Sequence, residues 1–84
     1  MNFQIGDRVI VINIIYDVDL LYKTGTVICF ENNWVGIKFD DFSLGHNLKG
    51  NINDNSGYFV REENIKLIEE NIKINIKTGF NNKK

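Results

Sequence analysis

Gly25-Thr26-Val27-Ile28-Cys29-Phe30-Glu31-Asn32-Asn33-Trp34-Val35-Gly36-Ile37-Lys38-Phe39-Asp40-Asp41 is the stretch whose reading decides the fold. Its first arm, Thr26 to Phe30, is β-branched and apolar. Its second arm, Trp34 to Phe39, alternates: Val35, Ile37 and Phe39 share one face, and Trp34, Gly36 and Lys38 share the other, a period of two. Between the arms lie Asn32 and Asn33, and asparagine tolerates the positive φ of tight hairpin turns better than other non-glycine residues. The stretch predicts the central hairpin of a small all-β domain.

On the N-terminal side, Phe3 to Asp7 leads into Arg8 to Ile15. There Val9 and Val11 alternate with Ile10, Ile12 and Ile14, so both faces of the expected strand are apolar and both need cover. Tyr16 to Lys23, with Asp17 and Asp19, breaks the alternation and is read as a loop. Beyond Phe39 a polar, glycine-punctuated excursion runs to Ser56, in which Leu44 and Leu48 are expected to tuck back onto the body. Gly57 to Val60 reads as a short strand, Arg61 to Asn64 as a single 3₁₀ turn, and Ile65 to Ile68 as a last strand. The expected inner face comprises Val9, Val11, Val27, Val35, Ile37, Phe39, Val60 and Leu67.

The plan divides the chain into a body, residues 1–69, and residues 70–84, a C-terminal strand or basic tail. Ile72, Ile74 and Ile76 alternate with Lys73, Asn75 and Lys77, although Ile68, Ile72 and Ile76 are also four apart. The β-branch of isoleucine favours a strand. It would either add a sixth strand to its own sheet or be exchanged through residues 71–77 in a homodimer.

Eighty-four residues allow one core. A single Cys29 and a single His46 supply neither an internal disulfide nor the four ligands of a structural zinc site. No apolar run reaches the length of a membrane span, and Met1 to Asp7 lacks the basic and apolar regions of a secretory signal, so a cytoplasmic protein away from membranes is expected. Asn, Ile and Lys make up 34 of the 84 residues while Pro and Ala are absent, a bias that AT-rich codons favour. The net charge of −1 conceals an asymmetry: residues 1–70 carry eleven acids against six bases, or −5, and residues 71–84 carry four lysines and no acid, or +4.

Because Val35, Ile37 and Phe39 claim the inner face, Trp34 is left outside and is the leading binding residue. Tyr16 and Tyr22 with Asp17, Asp19, Asp40 and Asp41 complete a candidate partner-binding set, in which the aromatics provide contact area and the acids steer a basic protein surface. His46 has no nucleophile, second histidine or carboxylate pair in a recognisable motif, and the expected job is a hydrogen bond that fixes its loop. Asn51 to Gly57, with Glu62 beyond, faintly echoes a calcium loop but has serine at the sixth position and a neutral first one. Glycines 25, 36 and 57 are read as bulges or bends that close a barrel. No catalytic constellation, cofactor or metal site is expected.

Gly6-Asp7-Arg8-Val9-Ile10-Val11, then Gly25-Thr26-Val27, then Val35-Gly36-Ile37-Lys38-Phe39-Asp40, resembles the G-D-x-V, G-x-V, V-x-F-D pattern of bacterial SH3-like, KOW and Mib-type repeats. Gly57 to Ile68 is similar to the fourth-strand, 3₁₀, fifth-strand segment of SH3 domains. The resemblance covers roughly residues 3–68 and implies a five- to six-stranded SH3-like barrel, while Val60 stands where a peptide-binding SH3 domain has a groove proline. The combination of Phe39-Asp40, Gly45-His46-Asn47-Leu48, Gly50 and the glycine before Val60 also resembles small phage and prophage proteins of unassigned role. Together these imply a non-catalytic protein-binding module, an accessory protein of a phage or mobile element that inhibits a host enzyme, in the manner of anti-CRISPR and other anti-defence proteins. The alternatives are a KOW-like nucleic-acid binder, which the charge of residues 1–70 disfavours, and a nucleotide-sequestering protein using Arg8, Lys38 and Arg61.

Overall fold

In the computed structural model, residues 2–68 are described. They form an all-β unit of five strands: β1 (Arg8–Val11), β2 (Thr24–Glu31), β3 (Trp34–Phe39), β4 (Gly57–Arg61) and β5 (Ile65–Leu67), with a 3₁₀ turn, η1 (Glu62–Asn64), before the last. All neighbours pair antiparallel, in the order β4-β3-β2-β1-β5, an open sheet with β4 and β5 at its two edges. The expected strand or exchanged segment at 71–77 lies outside the described residues.

The central hairpin forms where the sequence places it. Glu31 pairs with Trp34, so the loop is Asn32-Asn33 alone, and Asn32 takes the positive φ (55°) that such a connection needs. One feature of β2 is invisible in the residue pattern. Val27 faces Ile37 but Cys29 faces Gly36, so Ile28 is an extra residue and the strand carries a β-bulge. A bulge bends its strand and increases the local twist, and here it lets both Val27 and Phe30 point toward the core although they are three apart.

Val9, Val11, Leu20, Val27, Val35, Ile37, Phe39, Val60 and Ile65 make the buried cluster. Two expectations are corrected by it. Leu67, opposite Val9, is 42% exposed, and Ile65, opposite Val11 on the same face of the strand, is the residue of β5 that joins the core. Leu44 is 84% exposed, whereas Leu48 is buried as expected. Strand β1 also ends at Val11, shorter than the apolar run through Ile15. The amide of Ile12 donates to the carbonyl of Asn64 at 2.8 Å, and Asn13 donates through Nδ2 to the Glu63 carbonyl at 3.1 Å, so the chain is diverted onto η1.

The three glycines of the sheet have a different role from the one read in the sequence. None has a positive φ; each sits where a Cβ would collide, Gly25 with the Lys38 carbonyl oxygen (2.5 Å), Gly36 with Cys29 Sγ (2.6 Å) and Gly57 with Leu48 Cγ (2.5 Å). They permit close approach between strands and cover. The bulge belongs to Ile28.

Candidate functional site

The seven residues singled out in the sequence are not brought together in one place. Tyr16, Asp17 and Trp34 line one open groove of about 770 Å³. Asp19 and Asp41 line a smaller depression beside Val18 and Phe42, and Asp19 also shares a shallow hollow with Tyr16 and Asp17. Asp40 lies with β1, and Tyr22, 69% exposed, lines none of these hollows.

The groove is built from four segments. Ile14 to Asp17, just past β1, form one wall. Tyr58 to Arg61 of β4 form the other. Because side chains alternate across a strand, four consecutive residues of β4 can line one hollow only if it runs along the strand's backbone edge. Glu31, Asn32 and Trp34 close the end at the hairpin, and His46 and Lys49 come from the β3–β4 excursion.

Within the groove, Trp34 is 40% exposed and carries Arg61 over its ring, the guanidinium carbon 4.8 Å from the centroid. The register explains the pair, since Trp34 and Arg61 are opposite each other on β3 and β4 and so project from the same outer face. Tyr16 is 96% exposed on the facing wall. His46 is held between Tyr58 and Phe59, with ring centroids 5.5 and 5.6 Å away. Its Nδ1 accepts from the amide of Leu48 at 3.1 Å, and its backbone exchanges two hydrogen bonds with Gly57. The expected loop-fixing hydrogen bond is therefore present. Lys49 is paired with Glu31 at 3.0 Å. The carboxylates of Asp17 and Asp19 make no ion pair or hydrogen bond among the described residues.

The other charged cluster is saturated. Arg8 donates from Nη1 to Asp40 Oδ1 (2.8 Å) and Thr26 Oγ1 (3.0 Å), and from Nη2 to Asp40 Oδ2, which also accepts from the Thr24 hydroxyl at 2.7 Å. The Arg8 hydrogen bonds, helped by the one from Thr24, hold the Asp40 carboxyl down to about 2. Lys38 meets Ser56 Oγ at 3.1 Å and Asp54 Oδ2 at 3.6 Å, and the Ser56 hydroxyl and amide hold Asp54 below the usual carboxylate range. Arg8 and Lys38 flank Thr26 on neighbouring strands, each held by its own acceptors, while Arg61 lies over Trp34 at the other end of β3. The 51–56 loop is organised around that Asp54–Ser56 turn. Burial, then the charge of Glu31, pushes the Cys29 thiol up.

Sequence reasoning missed Arg61, Ile14 and Ile15 as groove residues. Arg61 was within reach of the β3–β4 register, which would have placed it opposite Trp34. Among the described residues no cluster of three or more metal-ligating side chains exists, and no helix is long and apolar enough to cross a membrane. No family model, curated protein or solved structure matches the chain.

Proposed function

We propose that the chain is a non-catalytic protein-binding module built on an SH3-like barrel, and that the groove between Tyr16 and Trp34 is its binding surface. The observation that carries the reading is the placement of two exposed aromatics, Tyr16 on one wall and Trp34 at the hairpin end, in the lining of one hollow, where they offer contact area that the fold itself does not consume. The barrel is supported by the strand order, the bulge that bends β2, and η1 between β4 and β5. A basic partner surface is supported by the uncompensated carboxylates of Asp17 and Asp19. The acidic balance of residues 1–70 and the separate pairing of the groove's Lys49 count against a nucleic-acid backbone as the partner. Inhibition of a host enzyme by a phage or mobile-element protein rests on composition and resemblance, and identification of the partner tests it.

The experiment is affinity capture by the full chain from a bacterial lysate, with and without nuclease, beside the Trp34→Ala variant. A nuclease-resistant protein partner lost at least tenfold by Trp34→Ala is the expected result. A partner that disappears with nuclease, or that ignores Trp34, refutes the reading.

A further inference from the structure

The wall formed by β4 has a property that side chains alone do not reveal. Gly57 directs both its amide and its carbonyl away from β3, since they bond His46 at 3.0 and 2.9 Å, while the next residue back, Ser56, turns its carbonyl to the Phe39 amide at 2.8 Å. Antiparallel pairing alternates this direction residue by residue, so Tyr58 and Val60 face β3 and the backbone groups of Phe59 and Arg61 face outward. Among the described residues, the outward amide and carbonyl of Phe59 and the amide of Arg61 have no backbone or side-chain partner, while the Arg61 carbonyl, at the N-cap of η1, accepts the first bond of that turn. His46 is thus the first rung of a ladder that stands open beyond it at both backbone groups of Phe59 and at the Arg61 amide.

We infer that the groove takes an extended segment of a protein partner by strand addition to β4, continuing the ladder from His46 along Phe59 and Arg61. This rests on the groove being the binding surface and names how it recognises its partner. Main-chain hydrogen bonds along an open edge give affinity for any extended chain, and alternate side chains give selectivity. One set of alternate positions meets the aromatic outer face, where Trp34 and Phe59 lie. The segment passes Asp17 on the facing wall, whose carboxylate is unmatched, with the equally unmatched Asp19 two residues beyond the groove, while Lys49 is neutralised by Glu31 and the Arg61 guanidinium lies over Trp34. The partner segment therefore alternates apolar with basic residues. This mode differs from recognition of a proline-rich helix, which presents no row of strand amides.

The test uses the full chain, isotope-labelled, and a synthetic ten-residue peptide alternating valine with lysine. Three controls are the same peptide with glutamate for lysine, the same peptide N-methylated at alternate amides, and a proline-rich peptide of equal length. Binding is expected to shift the Phe59 and Arg61 amide resonances and slow their hydrogen exchange at least tenfold. The glutamate and N-methylated peptides are expected to bind at least tenfold more weakly, and the proline-rich one no better than they do. Failure of the valine–lysine peptide to bind at millimolar concentration overturns the inference, as does equal binding of its N-methylated form. If such binding still depends on Trp34 but leaves the Phe59 and Arg61 amides untouched, the groove stands and strand addition falls; if it ignores Trp34 as well, both fall. Protection of those two amides in the free protein also overturns the assignment to a partner. Independent of protein concentration, it assigns the edge to residues 69–84 of the same chain; rising with concentration, it assigns it to a second copy.

Discussion

Two charged regions of the molecule have similar composition and opposite states. Around Arg8 and Asp40 every strong donor and acceptor meets another: the guanidinium forks onto the carboxylate, and Thr24 and Thr26 take the remaining positions. Around the groove, Asp17 is unmatched, Tyr16 stands in solvent, and the β4 edge leaves both backbone groups of Phe59 and the Arg61 amide open. Polar groups that are mutually satisfied contribute to folding and have little left for a ligand. The difference separates a clamp from a surface, although aspartates near aromatics look alike in the sequence of both.

The largest effect that can be imposed removes what both regions share. Ile37 is fully buried at the centre of β3, and Ile37→Ala should cost roughly 2 to 5 kcal/mol from transfer and cavity terms together. In a domain of this size that lowers the melting temperature by at least 8 °C, on the scale of about 4 to 8 °C per kcal/mol. A melt that barely moves would mean the core is elsewhere.

A second change acts on the groove side alone. A Cβ at Gly45 would overlap the carbonyl oxygen of Gly57, the group that pairs with His46. Gly45→Ala should cost about 1 to 3 kcal/mol by forcing that bridge apart. Nuclear magnetic resonance should show the shifts confined to residues around His46, Gly57 and Phe59, with the Arg8–Asp40 region unmoved. Perturbation spread evenly over the sheet would show that the two regions are not separable.

The clamp is tested by acid. Asp40 titrates near 2 in the folded protein against an ordinary value of 3.8, so it binds protons more weakly folded than unfolded. Its stabilisation is complete above pH 3.8 and is lost as the pH falls through about 2. The whole interval would be worth about 2.5 kcal/mol. Because the Asp40 side chain is nearly half exposed, solvent screening reduces this to ~1 kcal/mol. Asp40→Asn should therefore lower stability by ~1 kcal/mol at pH 7 and flatten the dependence between pH 4 and 2, measured by denaturant titration at each pH. An unchanged slope would show the ion pair contributes nothing in solution.

These regions were unequally legible. The hairpin could be read because alternation, β-branching and two asparagines agree over residues 26–39, and seven of the inward positions follow from that same period of two. Ile65 shares its face with Leu67, two residues on, so alternation names the inward face of β5 but not how much of it is covered: Ile65 is buried and Leu67 is 42% exposed. Leu20 hides in a loop with no period; the positive φ of Tyr22 (67°) turns the chain there, with the Lys23 amide bonding back to the Leu20 carbonyl at 3.0 Å. The candidate site was half legible for a similar reason. Trp34 follows from the alternation, but Asp17 and Asp40 are distinguished only by the long-range position of Arg8, thirty-two residues from its partner.

The smallest effect separates the two unmatched acids. Asp17 lines the groove; Asp19 lies two residues on and lines the hollow shared with Asp41. Neither carboxylate has a partner among the described residues, so Asp17→Asn and Asp19→Asn should each leave stability within about 0.5 kcal/mol of the parent. Their effects on a basic partner should differ in kind. A charge at the rim acts mainly on the encounter, so Asp19→Asn should reduce the association rate less than about threefold, with the reduction vanishing as salt shortens the Debye length from about 10 Å at 0.1 M toward 3 Å at 1 M. A carboxylate that meets a cation within the groove also slows dissociation, so Asp17→Asn should raise the off-rate, and that part should persist at high salt. Stopped-flow association and dissociation at several salt concentrations make the distinction. If Asp17 and Asp19 change only the association rate and to the same extent, the acids steer from a common field, and the basic residues of the partner do not enter the groove.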